Sequence, residues 1–463
     1  MKEELPDNWT KVNLENVVEI YDNRRKPISA KERSKRLGDI PYYGATGIAG
    51  YIDDYIFDEE LVLLGEDGAP FLERNKNVAY LIKGKSWVNN HAHVLKGRDG
   101  IVSNKIVLYF LNQFNYNGYV GGTTRLKLNQ KNLKIIPFPL SPLAEQERIV
   151  AKLDNLFTKL DKIKASLAKI PELLQNFRQQ VLTQAVTGKL TEEWRKGSSK
   201  WNKATIKELS QKIFDGPFGS KLKTADYTPS GVQVVRLENI KRLSFDTTKQ
   251  SFISKEKYEE LKGNTLKKGD IIFASFVGDE IRATLLPELS TPAINKADCF
   301  CIRLDQEKID KHFCLYVLLS NEGKDQIIEL AHGITRPRIN LTQLRSINIP
   351  LPSLKEQQEI VNRVENLFNK ADKIQKKYEV LKTNIEQLPR AILHKAFKGE
   401  LVPQLESDGD AKDLLREIEG LKAESLLKKA SGRRKAIKDF GKDYTLEQER
   451  QLKVAEEKET YKK

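Results

Sequence analysis

The chain reads as an α+β protein: two mixed α/β globules separated by two long helices. The helices are expected to pair as an antiparallel coiled coil, giving pseudo-two-fold symmetry within one chain. Two observations lead to this. First, a helical stretch occurs twice, since LAEQERIVAKLDNLFTKLDKI from Leu143 returns as LKEQQEIVNRVENLFNKADKI from Leu354. At one unbroken spacing Glu145 meets Glu356, Gln146 meets Gln357, Phe157 meets Phe368, Asp161 meets Asp372 and Gly188 meets Gly399. Second, apolar residues in both copies recur at alternating steps of four and three, the a/d pattern of helices that bury one narrow seam. The seam residues are Ile149, Leu153, Leu156, Leu160 and Ile163 in the first copy, and Ile360, Val364, Leu367, Ala371 and Ile374 in the second. It continues past these to Val181 and Ile392.

The expected divisions are a first globule at 1–142, a helical spacer at 143–193, a second globule at 194–352, a second spacer at 353–402 and a charged tail at 403–463. The first globule opens on Trp9, Val12, Leu14 and Val17, a short half-buried element. Residues 23–36 follow as a basic loop. Then come short runs punctuated by glycine, GDIPYYGATGIAGYIDDYIF, ELVLLGEDGAPF, VAYLIKGKSWV and HAHVLKG. Such runs indicate a compact antiparallel or highly twisted sheet. A helix is expected over 103–114. The globule leaves through Gly121-Gly122-Thr123-Thr124-Arg125 and the proline cluster at 137–142. Proline before a helical pattern, with Glu145 in the first turn, starts the first spacer. Pro171 interrupts its seam, so two pieces or one bent helix are expected up to Gly188, placed to end the helix.

The second globule opens on Trp201, Ala204, Ile206 and Leu209, which echo the first opening. VQVVRLENI, DIIFASF and ADCFCIRL read as strands and 311–330 as a helix. It leaves through Gly333-Ile334-Thr335-Arg336, matched to the first exit at the spacing of the helical repeat. The globules share their opening and their exit, and no alignment joins their middles. Pro389 in the second spacer stands elsewhere than Pro171, so a bend there is not part of the repeat. In the tail, Leu414, Leu415, Ile418 and Leu421 could form one amphipathic helix, and 431–463 reads as loosely helical or disordered in isolation.

Composition narrows the function. Hydrophobic residues make up 39% of the 463 and charged residues 31%, a balance that supports globular cores. The 79 Lys+Arg against 64 Asp+Glu leave a net charge of +15 and a pI near 9.3, which favours a polyanionic partner. The first residues carry no apolar signal-peptide core, and no apolar run approaches a membrane span. Cys299, Cys301 and Cys314 suit a reducing cytoplasm, and Cys299-Phe300-Cys301 alternates like a strand, which points to packing.

Double-stranded DNA has approximate two-fold axes of its own, so a two-fold protein can read half-sites about one or more helical turns apart. The 149–181 seam spans about 50 Å if straight. Globules that differ in their middles would read different half-sites. The expected target is therefore bipartite and asymmetric, with an unread gap set by the helices.

At this point the residues bear a family likeness. PLAEQERIV with its echo PLPSLKEQQEIV, the endings A-V-T-G-K-L and A-F-K-G-E-L, and the two G-x-T-R exits resemble the specificity subunit of type I restriction–modification systems, usually called HsdS. The resemblance covers residues 1–402. It implies that each globule is a target recognition domain and that the helices are spacers. It implies two methyltransferase (modification) subunits docked on the chain, with optional restriction (motor–nuclease) subunits. It implies N6-adenine methylation in the partner and no cofactor in this chain, with S-adenosylmethionine in the methyltransferase and ATP and Mg in a restriction subunit.

Several motifs invite catalysis and do not carry it. Asp39-Ile40-Pro41-Tyr42 is one residue away from the Asp-Pro-Pro-Tyr that holds a flipped base in aminomethyltransferases, and no nucleotide-binding glycine loop accompanies it. Phe214-Asp215-Gly216-Pro217-Phe218-Gly219 is a cofactor-loop lookalike better explained as a turn. His91 and His93 share one strand face without a third ligand, so no metal is expected. For DNA, the first candidates are Arg125 and Arg336 with Thr124 and Thr335 beside them, since arginine can fork to guanine or clamp phosphate. The bland alternative is that these loops brace the globule against its helix. Phosphate contacts are expected from Arg24, Arg25, Lys26, Arg33, Lys35, Arg36, Lys221, Lys223 and Arg338. A coiled-coil scaffold whose globules bind protein partners is the competing function.

Overall fold

A computed structural model describes residues 5–73, 76–193, 195, 201–420 and 423. The chain divides into two compact units, one built from the residues up to Ala165 together with those from Lys382 onwards, the other from Ser166–Leu381.

In the first unit the strands are β1 (Thr10–Asn13), β2 (Val18–Ile20), β3 (Ile40–Gly44), β4 (Gly47–Ile52), β5 (Phe57–Asp58), β6 (Leu61–Gly65), β7 (Ala79–Ile82), β8 (Lys85–Val88), β9 (Ala92–Gly97) and β10 (Pro137–Leu140). The main sheet has the order β2-β9-β6-β7, with every pair antiparallel. The LVLLG run makes β6 a central strand buried at every position, as a short unbroken apolar run should be. A second sheet, β4-β3-β8-β5, contains a parallel β3–β8 pair, which the expectation of an antiparallel or highly twisted sheet did not specify.

The second unit repeats this plan with β11 (Asn202–Thr205), β12 (Ser210–Phe214), β13 (Tyr227–Thr228), β14 (Val232–Val235), β15 (Phe252–Ile253), β16 (Ile271–Ala274), β17 (Ala283–Leu285), β18 (Ala293–Asn295), β19 (Cys299–Leu304) and β20 (Asn348–Leu351). Its main sheet is β12-β19-β16-β17, the same topology, and its second sheet is β13-β15-β14-β18 with a parallel β14–β18 pair. The middles that no alignment joined thus share a main sheet. They differ in the edge of the second sheet, where β5 flanks β8 in one unit and β13 flanks β15 in the other. The expected helix over 311–330 is two, Lys311–Leu319 and Asn321–Leu330, because the Ser320 hydroxyl caps the second.

The shared opening and shared exit of each globule pair with one another. β1 runs antiparallel to β10, and β11 to β20. The opening is more deeply buried than expected, with Trp9 at 5% exposure and Leu14 and Val17 at none. Each opening tryptophan donates its indole N–H to the duplicated glutamate at the start of the spacer, Trp9 Nε1 to Glu145 Oε2 at 2.8 Å and Trp201 Nε1 to Glu356 Oε2 at 3.2 Å. The neighbouring glutamines cap the chain just before them, Gln146 Nε2 donating to Ser141 O and Gln357 Nε2 to Pro352 O, each at 2.9 Å. All four side chains are buried, so the Glu-Gln pair is a polar peg that fixes globule to helix. Burial pushes the Glu145 carboxyl up, while the bonds from Trp9 and Gln404 act the other way.

The first spacer is two helices, Leu143–Leu167 and Ile170–Val186, with Pro171 in the first turn of the second, where its missing N–H is harmless. The second spacer is one helix, Leu354–Phe397, of 44 residues, about 66 Å long. It stays one helix through Pro389. Ile385 before it and Leu393, Ala396 and Phe397 after it are buried, and that packing offsets the lost backbone bond. Gly188 and Gly399 both take the left-handed conformation just past their helices, at φ 78° and 74°.

Within each unit the helices pack antiparallel. In the first, Ile149 and Leu153 share a core with Leu393, Ala396 and Phe397. In the second, Val181, Ala185 and Val186 share one with Ile360, Val361 and Val364. The duplicated Phe157 and Phe368 meet a globule tyrosine in the same way, Tyr109 at 5.5 Å and Tyr316 at 6.1 Å between ring centres. The seam is not buried throughout. Ile149, Leu153, Leu160, Ile360, Val364 and Ala371 are buried and Leu156 and Leu367 are half-buried, but Ile163 is 48% and Ile374 49% exposed. Burial alternates along the middle of the helices, where Leu174, Tyr378 and Ile385 are buried although Ile163 and Ile374 are not.

The start of the tail belongs to the first unit. Residues 411–420 are helical, with Ala411 and Ile418 buried in the core and Leu414 and Leu415 packed against it. Arg148 Nη2 holds Asp408 Oδ2 at 2.7 Å. Leu421 and 431–463 lie outside the described residues.

Candidate nucleic-acid interface

The two exits form the same hairpin. Gly121 and Lys127 exchange backbone hydrogen bonds of 3.0 and 2.8 Å, as His332 and Arg338 do at 3.0 Å each. Gly122 and Gly333 turn the chain at φ 107° and 103°, a conformation that glycine supplies without strain. Both hairpins are strapped to the residues that follow the central strand of the main sheet. Gly68 N donates to Leu126 O and Leu128 N to Glu66 O in the first unit. Val277 N donates to Pro337 O and Ile339 N to Ser275 O in the second. Thr124, Arg125, Thr335 and Arg336 are exposed on these hairpins.

An aspartate follows the first strand of each main sheet and sits by the hairpin's base. In the first unit Asp22 Oδ2 lies 2.6 Å from His93 Nδ1, and His93 Nε2 lies 2.8 Å from Leu128 O. Burial alone would raise Asp22, but the hydrogen bond and charge of His93 bring it below the usual carboxylate value. Asp22, Glu66 and His93 place donor atoms within 4.8 Å of one another. Arg25 and Lys127 already answer those acids, with Arg25 Nη1 on Glu66 at 2.6 Å and Lys127 Nζ on it at 3.2 Å, so the cluster is a closed ion network. In the second unit Asp215 Oδ1 accepts from Gly216 N at 2.7 Å and Asp298 N at 3.0 Å. Burial, with the Asp298 charge adding to it, pushes Asp215 up to about 6.

The sign of the Asp215 effect gives a prediction. Its folded value of about 6 exceeds the ordinary 3.8, so its contribution to stability is present at low pH and lost as pH rises through about 6. Asp215→Asn keeps an acceptor and removes the titration. The melting temperature of the variant should gain on the wild type between about pH 5 and pH 7.5. An unchanged difference at the two pH values would contradict the assignment.

The candidate contacts separate into held and free groups. Arg25 is corrected: its side chain is 13% exposed and donates to Asp22 O at 3.0 Å, Ala92 O at 2.7 Å and Glu66, so it braces the sheet end and is not free for phosphate. Residues 23–36 are not all loop either, since Ala30–Arg33 is a helical turn capped by Ser29. Arg24 lies over Phe57 at 4.6 Å, Arg33 over Tyr42 at 4.5 Å and Arg36 over Trp87 at 4.9 Å, with Arg36 also paired to Asp53. These three are half-held cations lying over buried aromatic rings. Lys26, Lys35, Lys221 and Lys223 are exposed. Arg125 is 63% exposed and 3.3 Å from Asp67, whereas Arg338 is 54% exposed and 3.9 Å from Asp298. Arg336 makes no ion pair among the described residues.

Sequence reasoning missed the acids Glu66, Asp67 and Asp298 that tie these arginines. It also missed Arg236 and Lys296, which lie over Tyr227 at 5.8 and 5.6 Å. Tyr42 is 2% exposed and bonded to the backbone of Ile28, so the tyrosine of the Asp39–Tyr42 motif is core structure, while Asp39 is exposed. In the other lookalike, a Cβ on Gly216 would stand 2.1 Å from Lys296 C, so the glycine lets this segment pass close against the backbone at Asn295–Lys296. All three cysteines are free and buried. No helix among the described residues is long and apolar enough to cross a membrane.

Comparison with known proteins agrees with this geometry. The family described as "Type I restriction modification DNA specificity domain" matches residues 6–172 and again 198–383. The EcoBI type I restriction enzyme specificity subunit of Escherichia coli is 27% identical, over 92% of this chain and 95% of its own length. The StySPI specificity subunit of Salmonella potsdam is 33% identical, over 65% of this chain and 67% of its own. Among solved structures, the HsdS subunit from Thermoanaerobacter tengcongensis covers 86% of this chain and 99% of its own, with a TM-score of 0.56 at 16% identity. A structure described as the basis of complex assembly and conformational transition of the type I R-M system gives a TM-score of 0.60 over 86% and 100%, also at 16% identity. With two matched domains that take in most of its length, the chain belongs to the type I restriction modification DNA specificity family.

Proposed function

We propose that this chain reads a bipartite, asymmetric DNA target and performs no chemistry itself. The divisions 1–142 and 194–352 are one recognition domain per half-site, 143–193 and 353–402 are the spacers that set the gap, and 403–463 is an appended tail. One observation supports this above the rest: an identical frame and hairpin are built twice around divergent edges. A duplicated support with changed reading edges is what two different half-sites require. The free Arg336 and the exposed lysines supply phosphate contacts, and the hairpin tips supply base contacts.

Two methyltransferase subunits dock on the spacers, with restriction subunits optional, in the cytoplasm. Exposed apolar residues on the helices, Leu173, Phe177, Ile374 and Val380 in one unit and Ile163 and Leu388 in the other, suit such docking. The partner binds S-adenosylmethionine and methylates adenine at N6, and a restriction subunit would use ATP and Mg. A scaffold for protein partners alone would not need two duplicated, arginine-bearing hairpins.

Salt tests this directly. The chain with its methyltransferase partner should prefer target over scrambled DNA, with log affinity falling linearly in log salt. Arg336→Ala should reduce the slope by about 0.9, while Arg25→Ala should leave the slope alone and lower thermal stability. Binding without sequence preference at low salt would sink the proposal.

A further inference from the structure

Ile334 is a fully exposed isoleucine, at 101% of its reference area, on the tip of the second hairpin. Thr123 holds the matching place on the first. The hairpin beneath Ile334 is rigid. It is closed by the His332–Arg338 bonds, strapped to Ser275 and Val277, and stiffened by Pro337, whose ring fixes its backbone angle. A β-branched side chain there has few rotamers to lose. An apolar knob is therefore held ready in solvent, with nothing among the described residues to cover it. Arg336 stands two residues along the same tip, also exposed and free of ion pairs among the described residues.

Building on the DNA-reading function, we propose that Ile334 is a specificity residue of the second recognition domain and contacts a thymine C5 methyl group in the major groove. Arg336 on a backbone phosphate holds the tip at the mouth of that groove, since phosphate contacts position the reader. A neighbour on the same short tip reaches the same groove, where the thymine methyl is the one apolar group on the base edges. The first hairpin, with Thr123 at this place and Arg125 drawn to Asp67, lacks the knob. Two otherwise matched hairpins would then differ in the base they favour.

The test uses the full chain with its methyltransferase partner and the mapped target. Each thymine of the half-site read by 194–352 is replaced in turn by deoxyuridine, which removes only the methyl. Wild type should lose about fourfold in affinity at one position, the worth of one buried methyl-sized group. Ile334→Ala should bind the thymine and deoxyuridine targets equally at that position, while keeping its preference over scrambled DNA and its melting temperature. Insensitivity of the wild type to every deoxyuridine, or an equal loss in the variant, would overturn the proposal and leave DNA reading intact. A wild-type complex with no preference for the target would remove the DNA-reading function and this contact together. An unaltered DNA affinity of Ile334→Ala with weakened methyltransferase binding would assign the knob to a protein partner and overturn it as well.

Discussion

Deleting Ile374–Val380 from the long helix should shift the unread gap by about three base pairs and leave both half-sites unchanged. One heptad is nearly two turns, so the apolar face returns to register while the helix shortens by about 10 Å. The packed ends survive, because Ile360, Val361 and Val364 lie before the deletion and Leu393, Ala396 and Phe397 after it. Of the deleted residues, Tyr378 is buried and Ile374 and Val380 are exposed, so the loss of packing is small. Function should change far more than stability. When one domain is bound, the second contact is intramolecular, and a gap that no longer fits forfeits avidity of about 10²–10⁴. The measurement is binding to a series of targets that differ in gap length alone. Altered half-sites with an unaltered gap would refute the helix as ruler.

Exchanging residues 14–136 for the same region of another family member should replace one half-site and leave the other as it was. The choice of ends follows from the frame. β1 and β10 lie outside the exchanged stretch and keep their pairing from Thr10–Leu140 to Asn13–Pro137. Trp9, Glu145 and Gln146 stay together, so the peg joining globule to helix is preserved. The second unit contains its own peg, Trp201 with Glu356, and should melt as before. An exchange that altered both half-sites would mean that the domains do not read independently.

Much of the architecture was legible because its signals are local. An unbroken repeat and a four–three apolar step can be counted along the chain, and they located both spacers, the Pro171 break and the two exits. The Glu-Gln peg was visible as a duplicated pair, but its role was not, since the tryptophan that meets Glu145 is 136 residues away. The same distance problem hid which arginines are free. Arg25 looked like any member of a basic run until Glu66 and the Ala92 carbonyl closed on it, whereas Arg336 meets no such acid among the described residues. The common main sheet escaped alignment because a central strand asks only for apolar residues, and LVLLG and IIFA meet that demand with different side chains. Ile163 and Ile374 show the converse, since the heptad pattern runs through both although each is about half exposed.

The central claim, two independent readers spaced by a helical ruler, is tested most directly by mapping methylated adenines genome-wide in cells that carry this chain with the methyltransferase partner proposed for it, in the wild-type and the 14–136 exchange forms. The wild type should yield one motif of two dissimilar half-sites around a fixed unread gap, and the exchange should replace one half while keeping the other half and the gap. A single continuous motif, or methylation that ignores the exchange, would contradict it.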